Sequence, residues 1–174
     1  EGGTPAGDQL TIRGYSARTD IFVDNVRDFG GYTRDPFNLE QVEVVKGPSS
    51  DYSGRGSTGG SINMVSKSGR MEDSTNTSLS LGSDSYKRAT LDVNRVVDSL
   101  DDTAARLNIL YHDQDTPGRD VVTNKRWGIA PSISFGIDTD SKLTLSLFHM
   151  EQDNIPDYGI PWVPESNEPL SEFA

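Results

Sequence analysis

Arginine and aromatic residues recur together in the segments between the predicted strands of this sequence. Guanidinium groups form charge-assisted hydrogen bonds with anions and also stack on aromatic rings. Tyrosine and tryptophan rings stack on other rings and keep a polar atom for hydrogen bonding. The mixture predicts a site for an anionic, aromatic ligand, while loop packing and surface decoration stay open as alternatives for each residue. The residues are Arg27, Tyr32, Arg34, Arg119, Tyr158 and Trp162.

Two motifs do not support the chemistry that they first suggest. Gly54, Gly56 and Gly59 spell G-x-G-x-x-G, but a strand-like segment follows them instead of the helix that a dinucleotide-binding turn requires. The run Asp138–Lys142 begins like a calcium loop but lacks the glycine and the glutamate that complete one. We therefore predict neither a nucleotide site nor a calcium site.

No group of residues predicts catalysis. His112 lies near Asp113 and Asp115, but neighbours on a strand point to opposite faces, so the three side chains do not converge on a metal. The serines lack the G-x-S-x-G pattern of a nucleophile turn. The sequence thus predicts a binding protein with no catalytic residues and no metal ligands, and not an enzyme.

The composition excludes two broad classes of protein. Sixteen Lys and Arg residues against 27 Asp and Glu residues give a net charge of −11, whereas a nucleic-acid binder needs a basic face. No run approaches the roughly 18 apolar residues of a membrane-spanning helix. A membrane β-barrel stays possible because its strands alternate apolar and polar residues.

Glycine content and charge divide the sequence near residue 70. Residues 1–70 hold 12 of the 17 glycines and a net charge of −1, whereas residues 71–174 carry −10. We predict one domain over 1–70 and another over 71–174. The first is predicted as α+β, with Asp35 as the N-cap and Pro36 as the first residue of a short helix. Its candidate strands are Gln9–Arg13, Ile21–Val23, Val42–Lys46 and Ser61–Ser66.

Apolar and polar residues alternate in five segments of the second region. A helix would place these apolar residues all around its surface, so the pattern predicts strands with one apolar and one polar face. The segments are Ser74–Gly82, Tyr86–Val97, Ala104–His112, Trp127–Ile137 and Lys142–Leu147.

These strands favour a membrane barrel over a soluble β-sandwich. Several approach the roughly 9–11 residues of a tilted bilayer crossing. Short and long connections largely alternate along the chain, as in outer-membrane barrels. Tyr86, Tyr111 and Trp127 lie at the long-loop ends of their strands, where they could form an aromatic girdle at the membrane interface. Five strands cannot close such a barrel without exposed edges.

The first region resembles a known family. Its stretches match, in order and spacing, the plug domain of TonB-dependent siderophore receptors of Gram-negative outer membranes. They are IRGY (Ile12–Tyr15), IFVDNVRD (Ile21–Asp28), RDPFNLEQVEVVKGPSS (Arg34–Ser50) and GRGSTGGSINMVSKSGR (Gly54–Arg70).

The second region resembles the catecholate branch of the same family, on three further stretches. They are HDQDTPGRDVV (His112–Val122), RWGIAPSISFG (Arg126–Gly136) and QDNIPDYGIPWVP (Gln152–Pro164).

The resemblance implies an α+β plug segment followed by antiparallel transmembrane β-barrel strands. These would be about five of the roughly 22 strands of a plugged outer-membrane transporter. The plug would lie inside the barrel lumen and meet the polar face of the strands. Glu40, Glu43 and Lys46 would then be structural contacts between plug and wall.

The resemblance also implies a function. The protein would be a receptor in the cell outer membrane that takes up a ferric siderophore of the catecholate type, energised by the TonB–ExbB–ExbD complex through a segment ahead of residue 1. The siderophore coordinates the iron, so the protein itself needs no cofactor, and the barrel would contact outer-membrane lipid. A passive binding barrel and a soluble all-β ligand-binding protein are the alternatives.

By analogy with the family, loops of both regions would contact the ligand. Arginines would pair with its charge and aromatic rings would stack on it. The expected contacts are Arg18, Tyr32 and Arg34 from the plug, and Arg119, Tyr158 and Trp162 from the barrel loops. Arg34 has a second interpretation, in which its pairing with an aspartate fixes the plug loop.

Overall fold

The computed structural model describes residues 7–8, 10–17, 20–47, 59–159, 162–163 and 168–169. Two larger sheets account for most of this part, one on each side of residue 70. Among the described residues, no helix is long and apolar enough to cross a membrane.

A two-residue turn opens the described N-terminal part. Strand β1 (Thr11–Ile12) pairs antiparallel with β2 (Tyr15–Ser16). Arg13 and Gly14 between them have φ angles of 52° and 82°, and positive φ at both central positions is the mark of a tight hairpin turn. The first predicted strand is therefore a hairpin that begins at Thr11, while Gln9 lies outside the described residues.

A four-stranded mixed sheet follows, in the order β4-β3-β6-β5. Strand β3 runs parallel to β6, and β5 runs antiparallel to it. Side chains of β3 and β6 pack with Ile12 and Ala17 in an apolar core. Strand β6 confirms that a strand follows the glycine-rich motif, of which Gly54 and Gly56 lie outside the described residues. The strands are β3 (Ile21–Val23), β4 (Val26–Arg27), β5 (Leu39–Lys46) and β6 (Gly60–Ser66).

The predicted helix start is a single 3-10 turn over Pro36–Asn38. Asp35 is its N-cap, because the Asp35 carboxylate accepts a hydrogen bond of 3.1 Å from the Phe37 backbone N–H. The chain becomes extended at Leu39, so the turn does not grow into an α-helix. We call the described residues from 7 to 66 the N-terminal unit.

The second region is one antiparallel sheet, here called the wall. Its strands follow chain order, β11-β10-β9-β8-β7, with β12 also paired to β10. Each predicted alternating segment contains a strand, which confirms the period-two interpretation. The wall strands are β7 (Ser74–Leu81), β8 (Lys87–Val96), β9 (Ala104–Asp115), β10 (Thr123–Phe135), β11 (Leu143–Ser146) and β12 (His149–Asn154).

The fifth wall strand is longer than the alternation predicts. Strands β11 and β12 both pair with β10 and are separated by Leu147 and Phe148. The Leu147 backbone N–H donates to the carbonyl of Pro131 over 3.0 Å, at a place where proline offers no N–H to the ladder. The register does not change across the break, so odd-numbered residues such as Leu145 and His149 face outward on both sides of it. Beyond it, β13 (Trp162–Val163) pairs with β14 (Glu168–Pro169).

The two faces of the wall differ in polarity and exposure, as predicted. Polar side chains on one face are buried, for example Asn94 and Asn108, each 1% exposed, and Arg88 on the same face reaches Asp35 of the N-terminal unit. Leucines on the opposite face are open, with Leu79 77% and Leu145 56% exposed. The apolar face is therefore the outer one, which is the reverse of a soluble sandwich.

The aromatic girdle is only partly as predicted. Tyr111 and Trp127 lie on the outer face, 50% and 44% exposed. Tyr86, in contrast, meets the buried ring of His112 edge-on at 5.6 Å, on the inner face. The prediction that Tyr86 belongs to the girdle is wrong. Tyr86 is two residues before inward-facing Arg88, and alternate residues of a strand face the same side, so Tyr86 faces inward and not outward like Tyr111.

Candidate ligand-binding site

Asp35 joins the N-terminal unit to the wall. Its carboxylate accepts hydrogen bonds of 2.8 and 2.7 Å from the two Nη groups of Arg88, and Arg126 Nε lies 2.8 Å away. Arg88 and Arg126 come from β8 and β10 and flank His112 of β9 in the register. The Asp35 side chain is fully buried, so it forms an ionic contact closed to solvent.

The electrostatics of this contact keep Asp35 ionised. Burial alone would raise the pKa of Asp35, but hydrogen bonds from Arg88 and the charges of Arg126 and Arg88 outweigh it and hold that pKa below the ordinary aspartate value. The carboxylate is therefore charged at neutral pH and compensates two cations of the wall.

Phe37 provides the apolar part of the same contact. Its ring packs with Leu110, Ala130 and Met150 of the wall. Gly128 lies directly below the ring, because a Cβ at that position would be 2.9 Å from Phe37 Cζ. A side chain at Gly128 would thus displace the ring, and the glycine lets the N-terminal unit approach the wall closely.

A second ionic cluster lies nearer the short-turn end of the wall. Arg106 binds both carboxylate oxygens of Asp92 at 2.8 Å and also reaches Glu40 at 3.1 Å. Lys67 lies 3.0 Å from the same Asp92 carboxylate, and Arg70 pairs with Glu40. The predicted role of Glu40 as a contact to the wall is confirmed. Glu43 instead bonds Asn63 within its own sheet.

Arg34 organises the loop between β4 and the 3-10 turn. Its Nη2 donates to Asp28 over 2.7 Å, and its Nη1 lies 3.5 Å from Asp8. The guanidinium also lies 4.3 Å from the centre of the Tyr32 ring. The Tyr32 hydroxyl donates a hydrogen bond of 2.7 Å to Asp28. With a side chain only 8% exposed, Arg34 is engaged inside the loop, as its second interpretation predicted.

The ionisation states of Asp28 and Tyr32 in this loop are stabilised by their hydrogen bonds. Burial would raise the pKa of Asp28, but hydrogen bonds from Tyr32, the Gly30 backbone and Arg34 lower it below the ordinary value. Burial raises the pKa of Tyr32, and its hydrogen bond to Asp28 raises it further. The phenol therefore stays protonated and holds its ring in place for stacking.

The Tyr32 ring borders a groove between the N-terminal unit and the wall. Phe148, Met150 and Gln152 form the other side of this groove. Gln152 Nε2 donates to the Thr33 carbonyl over 2.6 Å, which ties the loop to β12. An aromatic ring and polar groups thus meet between the N-terminal unit and β12.

Phe29 is a loop residue that the sequence interpretation missed. Its ring is 73% exposed, and the Arg27 guanidinium lies 5.8 Å from its centre. Arg27 is held by Asp20 at 2.9 Å. The alternation of cations and aromatic residues in this loop was the available signal, but sequence alone does not show which ring is open.

The wall loops bring Arg119 to Asp157, the residue that precedes Tyr158. Arg119 Nε donates to Asp157 Oδ2 over 3.0 Å, and Asp157 Oδ1 accepts from the Gly159 backbone N–H over 2.7 Å. These hydrogen bonds lower the pKa of Asp157. Tyr158 is 81% exposed. A cation is thus held by the residue that precedes an open ring on the outer loops.

The six predicted contacts are only partly located by the structure. Tyr32 and Arg34 are in contact in one loop, and Arg119 bonds Asp157, the neighbour of Tyr158 in sequence. Arg18 falls outside the described residues, and of Trp162 only the backbone pairing in β13 is described. Within the described ranges, no group of three or more His, Cys, Asp or Glu residues could hold a metal ion.

Comparison with known proteins explains this arrangement. A sequence model of the TonB-dependent receptor plug domain matches residues 1–61. The catecholate siderophore receptor Fiu of Escherichia coli K12 is 45% identical over 93% of this chain. The chain belongs to the TonB-dependent receptors. It spans 21% of the length of that relative, so the relative is much longer.

Solved receptor structures share the fold of this chain. The siderophore receptor PiuA of Acinetobacter baumannii superposes with a TM-score of 0.85 at 43% identity, over 95% of this chain and 24% of PiuA. The open form of the ferric-catecholate import receptor Fiu gives 0.83 at 46% identity, over 88% of this chain and 23% of Fiu. This receptor chain is located in the cell outer membrane, with its plug segment inside the barrel and its barrel strands forming an incomplete barrel.

Proposed function

We propose that this chain forms part of an outer-membrane receptor that takes up a ferric siderophore of the catecholate type. The proposal is supported by the similarity to Fiu, which is a catecholate siderophore receptor and a ferric-catecholate import receptor. The function is binding and import, not an enzymatic reaction.

One observation carries the proposal beyond similarity. The N-terminal unit lies against the polar face of the wall through Asp35, Phe37 and the Arg106 cluster, while the apolar face is open. A soluble binding protein would bury that apolar face in its core. A lipid-facing wall with a filled interior suits a transporter that must block its own pore at rest.

The ligand would meet both parts of the receptor at the long-loop end. We assign stacking to Tyr32, Tyr158 and Trp162, and charge pairing to Arg18 and Arg119. Arg34 acts by holding Tyr32 and, through its pairing with Asp28, shapes the loop. The iron arrives bound by the siderophore, so neither a cofactor nor a protein iron ligand is needed.

Transport would be energised by the TonB–ExbB–ExbD complex acting on the plug. We place the domain boundary at residue 70, between a plug over 1–70 and barrel strands over 71–174. The end of β6 at Ser66 and the start of β7 at Ser74 support this position.

Uptake of radioactive iron supplied as ferric dihydroxybenzoate tests the proposal. A strain without the gene should lose uptake, and the restored gene should recover it only when TonB is present. Recovery without TonB would instead show a passive barrel. If the restored gene recovers no uptake at all, the proposed function is wrong.

A further inference from the structure

A tight turn fixes the position of Arg119. The backbone N–H of Arg119 donates to the carbonyl of Thr116 over 3.1 Å. Pro117 and Gly118 occupy the two central positions, and Gly118 has a φ of 71°. Proline followed by a residue with positive φ is the pattern of a type II turn. The start of the Arg119 side chain is therefore set by the backbone.

Asp157 fixes the other end of the same side chain. One carboxylate oxygen accepts from the Gly159 backbone, and the other accepts from Arg119 Nε. The two side chains are 22% and 29% exposed. Among the described residues, the Arg119 side chain makes one hydrogen bond, from Nε to Asp157. Both of its Nη groups therefore make no hydrogen bond to the described residues.

We propose that Asp157 is a positioning residue for the ligand. It holds the Nε side of the Arg119 guanidinium, so that the two Nη groups present a ready fork to an oxyanion beside the Tyr158 ring. Phenolate or carboxylate oxygens of the siderophore are the groups that fit, since a guanidinium fork binds two such oxygens at once. This inference rests on the proposed function and concerns the same site.

The direction in which Asp157→Ala changes ligand affinity separates a positioning role from a simple charge effect. If Asp157 acts only by its charge, it repels an anionic ligand, and Asp157→Ala strengthens binding. If it acts by holding Arg119, the same substitution weakens binding, because the ligand must then order a free arginine side chain. Ordering one such side chain weakens affinity roughly two- to tenfold.

The experiment measures binding of ferric dihydroxybenzoate to the complete receptor in detergent, by isothermal titration calorimetry. Asp157→Ala should weaken binding by about two- to tenfold. Asp120→Ala is the matched control, because it removes an acidic side chain next to Arg119 in sequence without removing the bond to its Nε. The control should bind as tightly as the unaltered receptor, or more tightly.

Repeating both substitutions in an Arg119→Ala background tests the route of the effect. There Asp157→Ala should weaken binding no further. An equal loss in that background would show that the loop itself is disturbed, and would overturn the positioning role. Unchanged or stronger binding by Asp157→Ala alone would also overturn it. If the unaltered receptor binds no ferric dihydroxybenzoate, the proposed function fails and this inference falls with it.

Discussion

Replacing Asp35 by alanine should release the N-terminal unit from the wall. The substitution removes a fully buried carboxylate and leaves the Arg88 and Arg126 cations without their partner. Breaking a buried ion pair costs about 3–5 kcal/mol, and we expect about 3 because both arginines keep some solvent contact. Loss of the N-cap hydrogen bond to Phe37 adds about 1 kcal/mol.

Hydrogen exchange measures this loss where it acts. The complete receptor in detergent should exchange the amides of residues 36–46 about a thousandfold faster in the Asp35→Ala variant, since each 1.4 kcal/mol is about tenfold. Asp98→Ala is the control, because Asp98 is an exposed acid in a short wall turn and its loss should leave that exchange unchanged. An acceleration below about threefold in Asp35→Ala would refute the reasoning.

Further predictions follow from the same contact. Gly128→Val should displace the Phe37 ring and destabilise the plug contact by about 1–3 kcal/mol, measured by urea unfolding against Ala89→Val on the outer face. Because the folded-state pKa of Asp35 lies below its ordinary value of 3.8, its contribution is complete above about pH 4 and is lost as the pH falls through the lowered pKa. Exchange at residues 36–46, corrected for its chemical pH dependence, should therefore accelerate in acid more in the unaltered receptor than in Asp35→Ala.

The strands were predictable because their signal is local. Each wall strand carries its own alternation, and the parity of residues such as Leu107 and Asn108 already separates the outer face from the inner one. The same parity excludes Tyr86 from the girdle. Its position at a strand end suggested the girdle, but its parity places it on the inner face. The continuation into β12 was missed because Phe148 and Met150 are apolar residues on the inner face, so the apolar–polar alternation of the sequence is lost after Leu147.

The plug contacts could not be predicted in the same way. Asp35 is visible in sequence as an N-cap, but its partner Arg88 lies 53 residues away, and no local pattern connects the two. Arg119 and Asp157 are 38 residues apart and meet only because β10 and β12 are neighbours. Sequence identifies the residue types of a ligand site, whereas pairing across strands decides which cations are already engaged.

The orientation of the wall is the central claim, and spin labels test it most directly. The 174-residue chain contains no cysteine, so single cysteines at positions 105 to 110 can each carry one nitroxide in the complete receptor in lipid bilayers. We predict that labels at 105, 107 and 109 are accessible to oxygen dissolved in the lipid and that labels at 106, 108 and 110 are shielded. The reverse alternation, or equal shielding of all six labels, would contradict the account.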